Sequence, residues 1–185
     1  MLIEAELTAV LRDPGRVRAE LAGRALPESC VYADTYYDRP DRGLDTAGYE
    51  VRVRAVTRGE DTQTFLTYKE PAVTEWGAKP EYETTVGDSS VLRAVFGGLG
   101  LVELIAFRKH CENYRFTAQG RDLVATVVQI PELEGQTFLE LETMAEQEDL
   151  AGAHAVLRDV LHQLGGSTDD LTTESYTDRV AARRA

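Results

Sequence analysis

Short segments of this chain alternate apolar and charged residues. In the first of them, Ile3, Ala5 and Leu7 alternate with Glu4 and Glu6. Successive side chains of a β-strand point to opposite faces, so the two glutamates share one face of a predicted strand and the apolar residues share the other. Two carboxylates about 7 Å apart on one strand face repel each other unless a positive group lies between them. The pattern therefore predicts a strand that needs cationic neighbours.

Charges of both signs follow the same alternation in later segments. The charged positions are, in chain order, Arg52, Arg54, Lys69, Glu81, Glu83, Glu140 and Glu142. An antiparallel sheet usually buries its apolar face and exposes its charged face. A closed barrel offers the opposite arrangement, with a polar lumen and an apolar exterior covered by helices. The alternation by itself leaves both arrangements open.

Turn and cap signals divide the chain into eight or nine strands and a few helices. Asp13 and Pro14 predict the start of a short helix that ends near Gly23, and Asp88 caps a second helix that closes at 97–98. A longer helix is predicted over 147–164 and a short one within 172–184. Strands are predicted at 3–7, 30–37, 48–57, 62–69, 80–86, 102–109, 112–118, 123–129 and 136–143. Consecutive strands joined by turns predict an antiparallel sheet, which with this many strands can close into a barrel.

Composition narrows the class of protein. The 185 residues fit one domain over 1–185, and 43% hydrophobic with 28% charged residues is typical of a globular protein. No apolar run approaches the ~20 residues of a membrane span, and a net charge of −12 argues against nucleic acid as a partner. Cys30 and Cys111 have no spacing typical of a disulfide framework or metal site. We therefore expect a cytoplasmic protein, with no membrane or nucleic-acid partner.

Five motifs in this order and spacing resemble those of the CYTH superfamily. They are Glu4-x-Glu6, Arg52-x-Arg54, Thr67-x-Lys69, Glu81-x-Glu83 and Glu140-x-Glu142. The superfamily contains class IV adenylyl cyclases, thiamine triphosphatases and inorganic triphosphatases, and the stretch from Asp169 to Asp178 is most similar to the cyclase branch. The resemblance covers essentially the whole chain. It implies an α+β fold in which an eight-stranded antiparallel β-barrel, the triphosphate tunnel, carries its charged face inside and helices at its periphery.

The resemblance also implies a chemistry that needs both signs of charge in one lumen. Arginine and lysine bind phosphate oxygens through charge-assisted hydrogen bonds, and carboxylates bind Mg²⁺ or Mn²⁺. The implied partner is a nucleoside or other organic triphosphate, or another anionic metabolite, and relatives of this kind are often homodimers. The implied roles are metal binding for Glu4, Glu6, Glu140 and Glu142, phosphate binding for Arg52, Arg54, Lys69, Lys79 and Lys109, and orientation of lumen groups for Glu81 and Glu83.

Three positions lose a charge that the family pattern has, and Lys79 keeps the charge where the pattern usually has arginine. Thr8 stands where the first motif usually has lysine, Cys111 where the β-strand signature has arginine, and Val128 where an aspartate is expected. Arg108 and Arg115 are candidates to replace the lost cation, although Arg108 and Lys109 cannot both face the lumen. Each lost charge-assisted contact is expected to weaken phosphate binding by ~1.5–3 kcal/mol.

Three functions stay open at this point. A class IV cyclase would direct a ribose 3′-hydroxyl at the α-phosphorus and expel pyrophosphate, whereas a triphosphatase would direct water at a terminal phosphate. A third alternative is a barrel that binds a phosphorylated or other anionic metabolite without turnover, which the three departures favour. Tyr36, Tyr37 and Tyr49 are expected to pack in the barrel wall, and His110 to lie on the surface.

Overall fold

A computed structural model describes residues 2–74 and 77–185 of the chain. Its strands are β1 Leu2–Val10, β2 Glu28–Asp38, β3 Glu50–Arg58, β4 Asp61–Lys69, β5 Glu81–Val86, β6 Val102–Ala118, β7 Arg121–Gln129 and β8 Phe138–Glu146. Its helices are α1 Pro14–Ala22, α2 Gly43–Thr46, α3 Ser89–Gly98, α4 Leu150–Gln163 and α5 Tyr176–Arg184, with short 3₁₀ turns at Gln147–Asp149 and Thr168–Asp170.

All eight strands belong to one curled antiparallel sheet with the order β1-β8-β7-β6-β2-β3-β4-β5. The two ends of this order approach each other, since Glu4 of β1 forms an antiparallel bridge with Lys79, two residues before β5. The α+β fold of eight antiparallel strands with peripheral helices is therefore confirmed. None of the helices among the described residues has the length and apolar composition needed to cross a bilayer.

One predicted boundary is wrong. The strands predicted at 102–109 and 112–118 are a single strand, β6, which pairs with β2 on one side and β7 on the other. The two ladders overlap from His110 to Asn113, so the backbone of this polar stretch is paired on both sides and does not turn. The polar residues at 110–113 suggested a turn between two strands, but the backbone there forms hydrogen bonds with both β2 and β7.

Local capping agrees with the prediction at both early helices. The Asp13 side chain accepts a hydrogen bond from the Arg16 amide at 3.0 Å, Pro14 is the first residue of α1, and Gly23 follows its last turn. The Asp88 side chain accepts hydrogen bonds from the first amides of α3. Such caps satisfy N–H groups that a helix cannot pair internally.

The apolar face of the sheet lies outside, against the helices. Ile3 and Ala5 of β1 are buried in the same cluster as Leu157 and Leu161 of α4. Helix α4 therefore covers the outer face of β1 and β8, and the charged residues between the apolar ones point into the curl of the sheet. The surface alternative for the charged face is wrong, because the helices bury the other face.

Candidate functional site

A cavity of about 580 Å³ occupies the interior of the curled sheet. All of the residues predicted for the site contribute to its wall: Glu4, Glu6, Arg52, Arg54, Lys69, Lys79, Glu81, Glu83, Lys109, Glu140 and Glu142. Lys109, and not Arg108, faces the cavity. The sheet thus gathers side chains from β1, β3, β4, β5, β6 and β8 around one space.

Three carboxylates converge on one side of this cavity. Ligand oxygens of Glu6, Glu140 and Glu142 lie within 4.8 Å of one another. The antiparallel register explains the arrangement, since Glu6 of β1 stands directly opposite Glu142 of β8. Burial, followed by the charges of Glu4, Glu6 and Glu140, raises the pKa of Glu142 well above its usual range. Such a cluster is electrostatically costly until a cation joins it.

Glu140 has a cation at hand. Burial acts to raise its pKa, but Lys109, a hydrogen bond from Tyr176 and the charge of Arg54 together outweigh burial, and the pKa is lowered. The Lys109 ammonium lies 3.3 Å from a Glu140 carboxylate oxygen. Thr8, opposite Glu140 in the ladder, donates a hydrogen bond of 3.0 Å from its hydroxyl to Glu6. The threonine therefore holds a cluster carboxylate at the position where the family pattern has lysine.

Glu4 belongs to a different group of charges. The Lys69 ammonium lies 3.2 Å from a Glu4 oxygen and 2.6 Å from a Glu81 oxygen. Burial raises the pKa of Glu4 to about 7 against the opposing effect of Lys69. The pKa of Glu81 falls to about 2, because Lys69 and the hydrogen bond with Glu4 outweigh burial. Lys69 thus contacts both carboxyl groups and favours the charged form of Glu81 most strongly, and metal binding by Glu4 stays a prediction.

Asp34 of β2 is an acidic residue of the interior that the sequence motifs missed. Its carboxylate is 1% exposed and accepts two parallel hydrogen bonds from Arg54, at 2.7 and 2.8 Å. Lys109 lies 4.0 Å away, and Arg54 also stacks over the Tyr32 ring at 4.4 Å. Burial acts to raise the pKa of Asp34, but Arg54 holds it well below the usual range. The available signal was its position between tyrosines that share its strand face.

Arg52 is held less completely. Its Nη2 donates to the Thr67 hydroxyl at 3.4 Å, and Thr67 in turn donates to Glu83 at 3.0 Å. Its Nη1 lies 3.8 Å from Glu50. The Arg52 Nε is buried and makes no hydrogen bond within residues 2–74 and 77–185. A guanidinium with an unused buried donor can accept an anion without breaking an existing contact. Lys79 donates to the Gly48 carbonyl at 3.3 Å.

The C-terminal segment 171–177 supplies a further part of the cavity wall. The Thr172 amide donates to the Thr8 carbonyl at 2.9 Å, and Leu171 bridges Ala9. The ring of Tyr176 lies 4.7 Å from the Lys109 ammonium. Burial, followed by the charge of Glu140, raises the pKa of Tyr176 well above its usual range, so its hydroxyl stays protonated. The motifs did not place this segment in the site, because its contact with β1 joins the two ends of the chain.

Two of the three departures from the family pattern are neighbours in space. Cys111 and Val128 stand directly opposite each other on β6 and β7, and Cys30 stands opposite Cys111 on β2. All three are buried in one apolar cluster with Phe138. A cation and an acid expected at facing positions are thus both replaced by uncharged residues. Because both the expected cation and the expected acid are missing, no unpaired charge is left buried at these positions.

The tyrosines mostly have packing roles, as predicted. Tyr37 packs edge-on against Phe96 at 4.9 Å, and Tyr49 stacks on Tyr68 at 6.0 Å. Tyr36 stacks on Phe107 and also lines the cavity. His110 is exposed, as expected.

The CYTH domain family matches residues 3–176. The protein therefore belongs to the CYTH domain family.

Two further proteins are similar to this chain over nearly its whole length. The chain is 26% identical over 182 residues to a protein of Methanocaldococcus jannaschii named "Putative adenylate cyclase MJ0240", covering 96% of this chain and 98% of that one. The solved structure of the PH1819 protein from Pyrococcus horikoshii is similar with a TM-score of 0.83 at 23% identity, covering 98% and 99% of the two chains.

A third relative carries a stated activity. The solved structure of a Hippeastrum protein, described as a putative adenylyl cyclase with a dominant triphosphatase activity, has a TM-score of 0.67 at 17% identity, and the match covers 98% of this chain and 96% of that one. At this identity the structural likeness concerns the fold.

Proposed function

We propose that this protein is a divalent-metal-dependent enzyme that cleaves a phosphorus–oxygen bond of a nucleoside or other organic triphosphate inside its lumen. The observation that carries the proposal is the distribution of charge around one cavity. Cations of β3 and β6 face it together with a cluster of three carboxylates from β1 and β8. A triphosphate with a bound divalent cation carries both signs of charge and complements such a wall.

The phosphate chain would be held by the cations. The two hydrogen bonds to Asp34 hold the Arg54 guanidinium in place, so little side-chain entropy is lost when an anion binds to it. Arg52 has a buried N–H that makes no hydrogen bond within the described residues. Lys109, Lys69 and Lys79 add point charges along the cavity. The net charge of the chain is −12, so this basic wall is a local feature that selects a small anion.

The carboxylate cluster fits Mg²⁺ or Mn²⁺. Its donors are oxygens only and they lie within 4.8 Å of one another. Burial and the neighbouring acids raise the pKa of Glu142, and a bound cation would favour its charged form. Glu6, Glu140 and Glu142 would hold the ion, with Glu4 nearby on the same strand face. When bound, the ion would neutralise phosphate charge and lower the pKa of an oxygen nucleophile coordinated to it.

The attacking oxygen distinguishes the two reactions that the family relationship supports. The name of the M. jannaschii relative points to cyclisation by a ribose hydroxyl, and the description of the Hippeastrum protein points to hydrolysis by water. In both, the residues of this chain would align the phosphate chain on Arg52 and Arg54 and exclude bulk water with segment 171–177.

Phosphorus NMR of the products tests the proposal. The protein is incubated with ATP, GTP, thiamine triphosphate or tripolyphosphate in the presence of Mg²⁺ or Mn²⁺. Cyclic nucleotide with pyrophosphate would identify a cyclase, and diphosphate with orthophosphate a triphosphatase. Either activity should be lost in Glu6→Gln/Glu140→Gln and kept in Glu148→Gln, which changes an exposed glutamate just after β8. Saturable triphosphate binding without any product would contradict the proposed enzyme and leave a binding protein.

A further inference from the structure

We propose that Cys30 and Cys111 form a reversible redox site, in which a hydroperoxide oxidises the two thiols to a disulfide and a small thiol reduces it again. Both cysteines are free thiols in the structure, and the chain has no others. Their separation in the sequence carries no pairing signal, so only the fold brings them together. The inference is independent of the triphosphate proposed for the lumen.

The first observation is that the two cysteines face each other. Cys30 of β2 is the direct partner of Cys111 of β6 in the antiparallel ladder. Opposite residues of such a ladder have Cα atoms about 4.5–5.5 Å apart, which lies within the range of about 4.4–6.8 Å found in disulfides. A side-chain hydrogen bond joins the two thiols, and both lie in the same apolar cluster. A disulfide can therefore form without a change in strand register.

The second observation is that the surroundings of the two thiols differ. The Cys30 sulfur accepts a hydrogen bond from the Cys111 thiol and another, at 3.4 Å, from the side-chain amide of Asn113. The hydrogen bond from Cys111, with smaller effects of Tyr32 and of the charge of Arg58, outweighs burial and lowers the pKa of Cys30. The same bond, followed by burial, raises the pKa of Cys111. Cys30 is thus the nucleophile, and Cys111 is the thiol that completes the disulfide.

The third observation is a second cavity that reaches both residues. It has a volume of about 310 Å³ and is lined by Cys30 and Cys111 together with residues such as Thr57, Gly59 and Gln129. Among the described residues, none that lines this cavity also lines the charged one. A water molecule takes up about 30 Å³ in the liquid, so a cavity of this size admits hydrogen peroxide or a small thiol. The thiols are therefore buried against larger reagents and open to small ones.

The oxidation proceeds in two balanced steps. The Cys30 thiolate attacks one peroxide oxygen, so that an S–O bond forms, the O–O bond breaks and the leaving hydroxide takes up a proton to become water. The sulfur of Cys111 then attacks the resulting sulfenic acid, so that the S–S bond forms and the S–O bond breaks. The second hydroxide leaves as water with the proton of Cys111. Two thiols are oxidised by two electrons, and one hydroperoxide is reduced.

Mass spectrometry of the peroxide-treated protein tests the proposal. Reduced, folded protein is treated with hydrogen peroxide, remaining thiols are alkylated with N-ethylmaleimide in denaturant, and the products are identified by intact mass and peptide mapping. We expect the wild type to lose two hydrogen atoms per chain, to yield a linked pair of peptides containing Cys30 and Cys111, and to regain both thiols with dithiothreitol. In Cys111→Ala, dimedone should trap the sulfenic acid of Cys30. In Cys30→Ala, Cys111 should react at least about tenfold more slowly.

The outcomes against the proposal are equally specific. A wild-type protein that keeps both thiols, or that links two chains to each other, would overturn it. So would a disulfide that forms only in urea above the unfolding transition, because the native register would then not bring the thiols together. Equal trapping of the two single variants would overturn the roles assigned to Cys30 and Cys111. The wild-type experiment needs no substitution, so it decides the proposal even if a variant does not fold.

Discussion

The interior face of the sheet has an apolar half, which excludes charged side chains, and a charged half, which collects them. In the apolar half, one row of side chains crosses five neighbouring strands in register: Val10, Phe138, Val128, Cys111 and Cys30. In the charged half, the adjacent register positions on β1 and β8 are Thr8 with Glu140 and Glu6 with Glu142. Two residues along a strand therefore separate a hydrophobic cluster from an acidic one.

The difference shows where the fold tolerates electrostatic cost. The apolar half is packed with Ile130, Leu133 and Val180 and contributes ordinary hydrophobic stabilisation. The charged half keeps three carboxylates together and a buried Arg52 N–H that makes no hydrogen bond within the described residues, which weakens the free protein. A region that costs stability and lines a cavity is expected to recover that cost by binding a ligand. Changes that move polarity between the halves should test this comparison.

The largest expected effect comes from the ion pair at the boundary between the halves. Asp34→Asn removes the acid that balances Arg54 and Lys109 in a buried environment. Breaking a buried pair on one side costs about 3–5 kcal/mol, so urea unfolding should show a loss of that order. Asp45→Asn, which breaks the exposed pair with Arg42, should cost less than about 1 kcal/mol. Equal losses in the two variants would contradict the importance of burial at Asp34.

Introducing charge into the apolar half should have the next largest effect. Cys111→Arg places a cation opposite Val128 and Cys30, and we expect a loss of several kcal/mol in the free energy of unfolding. His110→Arg adds the same charge on the exposed face of β6 and serves as the matched control. In the double variant Cys111→Arg/Val128→Asp, the facing charges should recover part of the loss. A double-mutant cycle measures that coupling, and a coupling near zero would show that the two positions act independently.

The pH dependence of stability should reveal the charged half. Burial raises the pKa of Glu4 from 4.5 to about 7, so the folded state binds more protons than the unfolded state between these values. This contribution to stability is fully present below about pH 4.5 and is lost as pH rises towards 7, with a slope of up to about 1.4 kcal/mol per pH unit. Denaturant unfolding in EDTA at a series of pH values measures it.

Two variants identify the residue responsible for this pH dependence. Glu4→Gln should flatten the slope between pH 5 and 7, and Glu148→Gln should leave it unchanged. The pKa of Glu81 is lowered to about 2, so its contribution has the opposite sign and is lost only as pH falls from 4.5 towards that value. A wild-type profile that Glu4→Gln does not alter between pH 5 and 7 would exclude Glu4 as its source.

The smallest expected change is a gain in stability. Glu142→Gln replaces a buried carboxyl, whose charged form is disfavoured by burial and by its acidic neighbours, with a neutral group of the same shape. We expect the free energy of unfolding of the ligand-free protein to rise by about 1 kcal/mol. The increase in melting temperature on adding Mg²⁺ or Mn²⁺ should become smaller in this variant. A destabilised Glu142→Gln would mean that the three carboxylates do not repel one another in the free protein.

Much of the fold could be predicted from local sequence patterns. The period of two placed Glu4 with Glu6 and Glu140 with Glu142 on common faces, and caps at Asp13 and Asp88 located two helices. These features depend on residues close together in the chain, so the sequence contains their physical cause. The continuity of β6 could not be predicted in this way, because the pairing of its polar centre depends on β2 and β7.

The candidate site divides in the same way. Motifs of alternating charge identified the residues that line the cavity, but Asp34 and Tyr176 carried no such motif and entered through long-range contacts with Arg54 and Lys109. The departures at Cys111 and Val128 were visible as isolated positions. The register of β6 and β7 shows that these two positions face each other.

Alternation along each strand was enough to predict which side chains share a face, since it follows from backbone geometry alone. The alternating pattern left open which face would be interior, because it assigns side chains to two faces without saying which one is buried. The tertiary structure decided this when α4 covered the apolar face and the ends of the sheet met at Glu4 and Lys79. Burying the apolar face against a helix removes it from water, and the charged face is then enclosed around a cavity where its two signs meet.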